Sequence, residues 1–357
     1  MVILLKILTI GNSPKVHGGI TSVITQILKY DWNSKNVKMD FIPTYEGGSN
    51  VHKLVYFYKQ CKLIKKYLKN NKVDYVHMHI SHYGSFYRAN YIMDYCVKRK
   101  IKTIVHLHSS EFKVFYNSSS KSLKTKICFF FEKANVVIAL GDQWKEFIES
   151  ISPKSNVTIL NNSVDNPHKL VIHDKNKMNF LYMGVLVKRK GVIDLLQAID
   201  IINKKDKSIL KNVVFNIAGD GEEKSKLIKF AEDNDITKYV NFIGWVDDNN
   251  KEKTYLNNNI LILPSYNEGL PMCILEAMSY GMPIITTDVG SIKEAVVNDK
   301  NGFIFKPGEI DKMVDYIISC ISNYDLRIKM SNESKEIFLT KFDSNRFYNK
   351  LYDIYKG

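Results

Sequence analysis

Short apolar runs alternate with longer segments in which apolar residues recur every three or four positions, from one end of the chain to the other. The short runs read as buried strands over 4–10, 38–43, 75–79, 103–108, 136–140 and 158–160, then over 180–183, 213–218, 240–243, 260–263, 284–287 and 303–305. Helical spacing fills the gaps, most clearly at 18–30, 53–70, 85–99, 191–204, 223–234, 271–281, 291–297 and 309–322. Strand and helix in turn imply parallel sheets wound with helices on both faces, an α/β architecture. The pattern restarts after Asn161-Asn-Ser-Val-Asp165, and the polar stretch 166–179 reads as a linker. Two doubly wound, Rossmann-like domains facing a cleft are therefore expected, one over 1–165 and one over 180–340. The closing segment 341–357 carries Phe347, Leu351 and Tyr355 at helical spacing.

At 357 residues the chain is comfortable for two cores. Its 45% hydrophobic and 25% charged content is that of a globular protein. No apolar run reaches the ~18 residues that span a bilayer. The apolar start lacks a basic leader and runs into a Gly-containing loop, so it reads as a first strand and not as a signal peptide. Cys61, Cys96, Cys128, Cys273 and Cys320 are scattered, which gives no disulfide framework or metal-ligand spacing and points to a reducing cytoplasm. Charge changes the picture more. Residues 1–170 hold 25 Lys and Arg against 11 Asp and Glu, whereas residues 171–357 hold 26 of each, so the whole excess of +14 lies in the first half. That half is expected to meet an anionic surface or polymer.

The sharpest chemical signal is a pair of carboxylates, Glu268 and Glu276, in Ser265-Tyr-Asn-Glu-Gly-Leu-Pro-Met-Cys-Ile-Leu-Glu276. An apolar strand runs into Pro264 and a polar turn holding Glu268 and Gly269. A helix starts near Pro271, with Glu276 about a turn and a half inside it. The helix N-terminus attracts phosphate and carboxylates accept from sugar hydroxyls, so one loop offers an anion site and two hydroxyl readers. These features suit a nucleotide-sugar.

At these residues the chain resembles the family-four retaining glycosyltransferases of the two-domain GT-B fold, which carry a Glu-x7-Glu motif with Glu-Gly-Leu-Pro and Leu-Glu-Ala-Met neighbours. The resemblance implies that Glu268 holds the donor sugar and Glu276 the ribose. It is densest from Ser265 to Pro283 and spreads over most of the second domain. Met183-Gly-Val-Leu-Val-Lys-Arg-Lys-Gly191 resembles the family's Gly-Arg-Leu-x-x-x-Lys-Gly element. Gly184 and Lys190 then fall at the donor diphosphate, while the family's arginine is Val185 here, a departure that weakens the expected grip on the diphosphate. Gly219, in Ala218-Gly-Asp-Gly221, matches a donor-side turn. Trp245 borders the place of the nucleobase, with core packing as the other reading. Gly269 and Leu270 complete the donor loop. Glu294 matches a family glutamate or caps a helix.

In the first domain the resemblance is thinner. Gly18 and Gly19 open a helix after the first strand, as a phosphate-approaching Gly-Gly pair does. His108 ends a strand, matching a family histidine near the reacting sugar, and Glu111 is placed on the acceptor side. His77, His79, His106 and His108 could be imagined around zinc, but no supporting ligand pattern is visible. No catalytic metal and no cofactor beyond the nucleotide-sugar substrate are expected. The segment 54–72 is basic and amphipathic, with Phe57, Cys61, Ile64 and Leu68 on one stripe. It is expected to lie on the inner face of the cell membrane. No nucleic-acid module is visible, so nucleic acid is not expected as a partner.

The expected activity is transfer of a sugar, with retention, from a UDP-linked donor to a saccharide or polyprenyl-linked acceptor in bacterial cell-surface polysaccharide assembly. Glu268, His108 and Lys190 are the expected catalytic residues. The alternative is a non-catalytic GT-B protein that binds a nucleotide-sugar or a partner, which Val185 favours. A nucleotide-sugar epimerase or phosphorylase fits the Glu-Gly-Leu-Pro loop less well.

Overall fold

The computed structural model describes residues 4–16, 18–109 and 111–357. They form two compact units. Unit 1 runs to Asn162 and takes in Arg346–Gly357, and unit 2 is Ser163–Asn345.

Unit 1 holds β1 (Leu5–Asn12), β2 (Val37–Tyr45), β3 (Tyr75–Ile80), β4 (Lys102–Leu107), β5 (Val136–Ala139) and β6 (Val157–Ile159). All neighbours are parallel, in the order β2-β1-β3-β4-β5-β6. The winding reverses between β1 and β3, and open α/β sheets take ligands beyond the carboxyl ends of the strands at such a point. Strands covered on both faces read as near-continuous apolar runs, which is why the sequence marks them so clearly. On one face Leu8, Ile10, Val76, Met78 and Val105 pack with residues of the helices Asn50–Asn70, Gly84–Lys98 and Lys121–Lys133. By strand alternation the other face carries Ile7, Thr9, His77, His79, Ile104 and His106. There the terminal helix Ser344–Lys356 buries Phe347, Leu351 and Tyr355. It is tied to unit 1 by the Tyr355 hydroxyl at 2.8 Å from His77 Nδ1 and by the Tyr348 hydroxyl donating to the Gln26 carbonyl.

The helix Asn50–Asn70, capped by Ser49 accepting from the His52 N–H, corrects one expectation. Its Cys61, Ile64 and Leu68 are buried in the core with Phe57 packed against them, so that stripe faces inward. The outward face is a different one, Val51, Leu54, Val55 and Tyr58, with Leu54 71% exposed.

Unit 2 holds β7 (Met178–Met183), β8 (Val213–Ala218), β9 (Val240–Gly244), β10 (Ile260–Leu263), β11 (Ile284–Thr287) and β12 (Gly302–Phe305). The order β12-β11-β10-β7-β8-β9 is again parallel and reverses between β7 and β10. Residues 166–177, read from their polarity as a linker, are stitched onto this unit. Val171 is buried and its N–H donates to the Tyr280 carbonyl at 2.9 Å. Asn259 donates to the Ile172 carbonyl and Arg327 to that of Asp174. Its backbone is thus bound to unit 2 although many of its side chains are polar and exposed.

Candidate active site

The site in unit 2 grows from the carboxyl ends of β7 and β10, beside the reversal in strand order. After Leu263 the chain leaves the sheet at Pro264, loops through Glu268 and enters the helix Met272–Ser279, whose N-cap is Pro271 with no side-chain cap bond. Its first-turn amides therefore lack the side-chain acceptor that usually covers a helix start. Gly290, at φ 57°, fixes the loop from behind. A Cβ there would lie 2.1 Å from the Glu268 carbonyl oxygen, and the Ser291 N–H donates to the Gly269 carbonyl at 2.8 Å.

Glu268 is buried and accepts from Lys190 Nζ at 2.5 Å, with both side chains largely withdrawn from water. Lys190 comes from the turn after β7. That turn is laced to the Glu268 loop by the Tyr266 N–H on the Arg189 carbonyl and by Arg189 Nη1 on the Asn267 carbonyl. Glu276 accepts from the Tyr255 hydroxyl at 2.7 Å and from Lys251 Nζ at 3.0 Å. Cys273 marks where these groups converge. Burial pushes its thiol up to about 12, and it also feels the charges of Lys190, Glu268 and Glu276. Burial likewise raises Tyr182, with Cys273 and Glu268 adding to the shift, and its hydroxyl donates to the Val185 carbonyl at 3.1 Å. The Val185 side chain itself is exposed.

The remaining unit 2 residues frame this point. The Gly184 N–H donates to the Ala218 carbonyl, and a Cβ at Gly219 would lie 1.9 Å from the Gly184 carbonyl oxygen, so two backbones meet here with no room for a side chain. Leu270 is buried. Trp245 is 52% exposed, so it is not a core residue. Lys251 and Tyr255 were not singled out in the sequence. Both lie on Asp248–Leu256, a helix with one buried residue and no apolar stripe to draw attention to it.

In unit 1, Gly18 and Gly19 start the helix Gly19–Lys29, and a Cβ on either would meet nothing within 4 Å. His108 turns its Nε2 to Nδ1 of His79 at 2.8 Å, and burial lowers its pKa from 6.5 to about 3, so its ring is neutral at physiological pH. Glu111 lies 3.1 Å from His82 Nε2, and His82 Nδ1 is 2.6 Å from the Ser109 hydroxyl. His82 was missed. Its position just past the carboxyl end of β3, beside the winding reversal, is the signal that could have found it.

Comparison with known proteins follows the same division. Residues 165–337 match the family described as Glycosyl transferases group 1. The chain is 25% identical over 342 residues to UDP-Gal:alpha-D-GlcNAc-diphosphoundecaprenol alpha-1,3-galactosyltransferase of Escherichia coli, covering 91% of this chain and 85% of that one. Sucrose-phosphate synthase of Thermosynechococcus elongatus superposes with a TM-score of 0.80 at 15% identity, over 99% of this chain and 98% of that one. Anabaena HepE in complex with UDP superposes with a TM-score of 0.76 at 15% identity, over 98% and 99%. At such identity the structural likeness establishes the fold, two Rossmann-like domains of GT-B type.

Proposed function

Because residues 165–337 match the glycosyl transferases group 1 family, we propose that the protein is a retaining glycosyltransferase working from a UDP-linked sugar. Its acceptor is a saccharide or lipid-linked sugar of bacterial cell-surface polysaccharide assembly. The observation that carries this reading is the buried Lys190–Glu268 pair beside the uncapped start of Met272–Ser279. The UDP bound to Anabaena HepE and the diphosphoundecaprenol acceptor of the Escherichia coli relative favour the donor and acceptor classes.

In this reading the donor diphosphate lies at the helix start and draws the Lys190 ammonium from Glu268 toward its own charge. Glu268 is then free to accept from the sugar hydroxyls, and Glu276, held by Tyr255 and Lys251, accepts from the ribose. Lys190 and the first-turn amides stabilise the departing diphosphate. The leaving phosphate oxygen takes the acceptor proton on the same face, so configuration is retained with no covalent enzyme intermediate. In unit 1, neutral His108, Glu111 and His82 are the groups offered to the acceptor. Among the described residues no helix is long and apolar enough to cross a membrane. The basic first half and the outward stripe of Asn50–Asn70 support peripheral attachment to an anionic leaflet.

The test is a thermal-shift screen of nucleotide-sugars followed by transfer to a polyprenyl-diphosphate sugar. A UDP-sugar should raise the melting temperature, as any ligand of the folded state does. Transfer should then run equally with EDTA and with added magnesium, and give an α-linked product by NMR. Glu268→Ala should abolish transfer; if it does not, the roles assigned here are wrong. Val185 favours a second reading, binding without turnover. Stabilisation by a UDP-sugar with no transfer to any acceptor would select it.

A further inference from the structure

The donor chemistry makes no use of the inner face of the unit 1 sheet, where Thr9, His77, His79 and His106 are buried side by side on three neighbouring strands. Register puts them there: Thr9 of β1 pairs with His77 of β3, and His79 of β3 pairs with His106 of β4. Such a face should be apolar, since a buried imidazole with no partner forfeits its hydrogen bonds to water. Yet among the described residues His77 Nε2, His79 Nε2, both nitrogens of His106 and Thr9 Oγ1 are buried with no hydrogen-bond partner.

We propose that His77, His79 and His106 form a transition-metal site of the zinc class. One ring nitrogen from each lies within 4.8 Å of the others. Ring centres are 4.3 Å apart for His77–His79, 5.1 Å for His79–His106 and 5.5 Å for His77–His106. Three imidazoles on a tetrahedral zinc at its usual Zn–N distance have ring centres about 5 Å apart and nitrogens about 3.4 Å apart. The ring centres therefore already stand near metal-site spacing, and the nitrogens must draw closer to ligate.

The hydrogen bonds around the cluster hold the tautomers a metal needs. A ligating imidazole that offers Nε2 must carry its proton on Nδ1, and an outer group must accept that proton. Tyr355 Oη stands 2.8 Å from His77 Nδ1 and His108 Nε2 stands 2.8 Å from His79 Nδ1. Both contacts leave Nε2 free, and Nε2 is the nitrogen left without a partner on each ring. His106 has no such contact at either nitrogen and can ligate through either one. Water or hydroxide fills the fourth position, with Thr9 Oγ1 as a neighbouring polar group. All-imidazole ligands suit zinc, cobalt, nickel or copper and not magnesium or calcium. The ion would join β3 and β4 behind the terminal helix, so its role is structural. The rival occupant is a buried water, which such orphaned groups also bind.

The full chain, stripped with a chelator under mild denaturation and refolded, is titrated with cobalt(II) alone. Expected are one ion per chain, the visible ligand-field absorption of tetrahedral cobalt, displacement by zinc, and a raised melting temperature. Tyr355→Phe, which removes the group orienting His77, should weaken cobalt binding by roughly 10–100-fold. His106→Leu should abolish the absorption. If that variant fails to fold, His79→Gln gives the same reading. Absence of saturable cobalt or zinc binding in the refolded wild type overturns the proposal in favour of water. So does binding that survives both histidine substitutions.

Discussion

Glu276 is held from two sides, by the neutral Tyr255 phenol and by the Lys251 ammonium, and both contacts come from one neighbouring helix. Burial and the adjacent Glu276 raise the Tyr255 pKa, so the phenol stays a donor across the working pH range. A hydrogen bond to a charged acceptor contributes about 1.5–3 kcal/mol, so Tyr255→Phe should raise the donor KM by at least about tenfold. Because that contact does not touch the reacting atoms, kcat should hold, and steady-state kinetics against the donor separate the two parameters. Lys190 behaves differently. Lys190→Met leaves the buried Glu268 carboxylate without its partner, a change that typically costs 3–5 kcal/mol. It also removes a charge from the leaving group, with an expected fall in kcat of about 100-fold or more. Denaturant melts and kcat should drop together; a drop in one alone would mean that Lys190 serves only structure or only chemistry. Glu268, Glu276 and Lys190 were legible in the sequence because loop, helix and spacing surround them. Tyr255 and Lys251 were not, because their partner lies on another helix and the pairing exists only once the chain is folded.

Elements were legible where burial is two-sided. The central strands such as Ile260–Leu263 and Ile284–Thr287 are buried along their whole length and read as apolar runs. The helix Tyr324–Lys341 shows the opposite case. It buries Arg327, Ser331 and Ser334 along with Met330, Ile337 and Phe338, so it carries no clean apolar stripe. Its Arg327 is bound through backbone carbonyls of Cys320 and Asp174, which fastens the 166–177 segment to unit 2. His173 lies in that segment, buried and, among the described residues, with neither ring nitrogen partnered. Burial, and secondly the Arg327 charge, lowers its pKa from 6.5 to about 4. The folded state therefore binds this proton more weakly than the unfolded chain does, and acid favours unfolding. The loss begins as pH falls through about 6.5 and reaches about 2 kcal/mol at pH 5 for this one group. His173→Leu should shrink the stability gap between pH 7 and pH 5 by about that amount in denaturant titrations. An unchanged gap would mean that His173 protonates in place, with the segment opening at little cost.

At the scale of the molecule the two halves divide legibility as they divide chemistry. Unit 2 reads clearly because the strand Ile260–Leu263, the Glu268 loop and the helix Met272–Ser279 follow one another along the chain. Unit 1 reads poorly because its histidine cluster depends on the register between β3 and β4, which no local pattern encodes. Its charge is plain from composition alone: the whole excess of +14 falls within residues 1–170. Amphipathicity at 54–72 was also legible, but which stripe faces out was not, since two apolar stripes share the helix and packing chose between them. The outward one, Val51, Leu54, Val55 and Tyr58, continues into exposed Lys62, Lys66 and Lys69, an apolar edge followed by a basic one. A leaflet should take the first into its headgroup boundary and the second at its surface, each lysine adding about 1 kcal/mol on an anionic membrane. The protein should therefore sediment with vesicles containing phosphatidylglycerol and not with pure phosphatidylcholine. High salt, which shortens the screening length to about 3 Å at 1 M, should release it. Leu54→Glu with Tyr58→Glu should cut binding at low salt by about tenfold or more while leaving the melting temperature unchanged, because both side chains already face water. Equal sedimentation of that variant would move the contact to another surface of unit 1, and no sedimentation of the wild type would assign its charge to a soluble anionic acceptor.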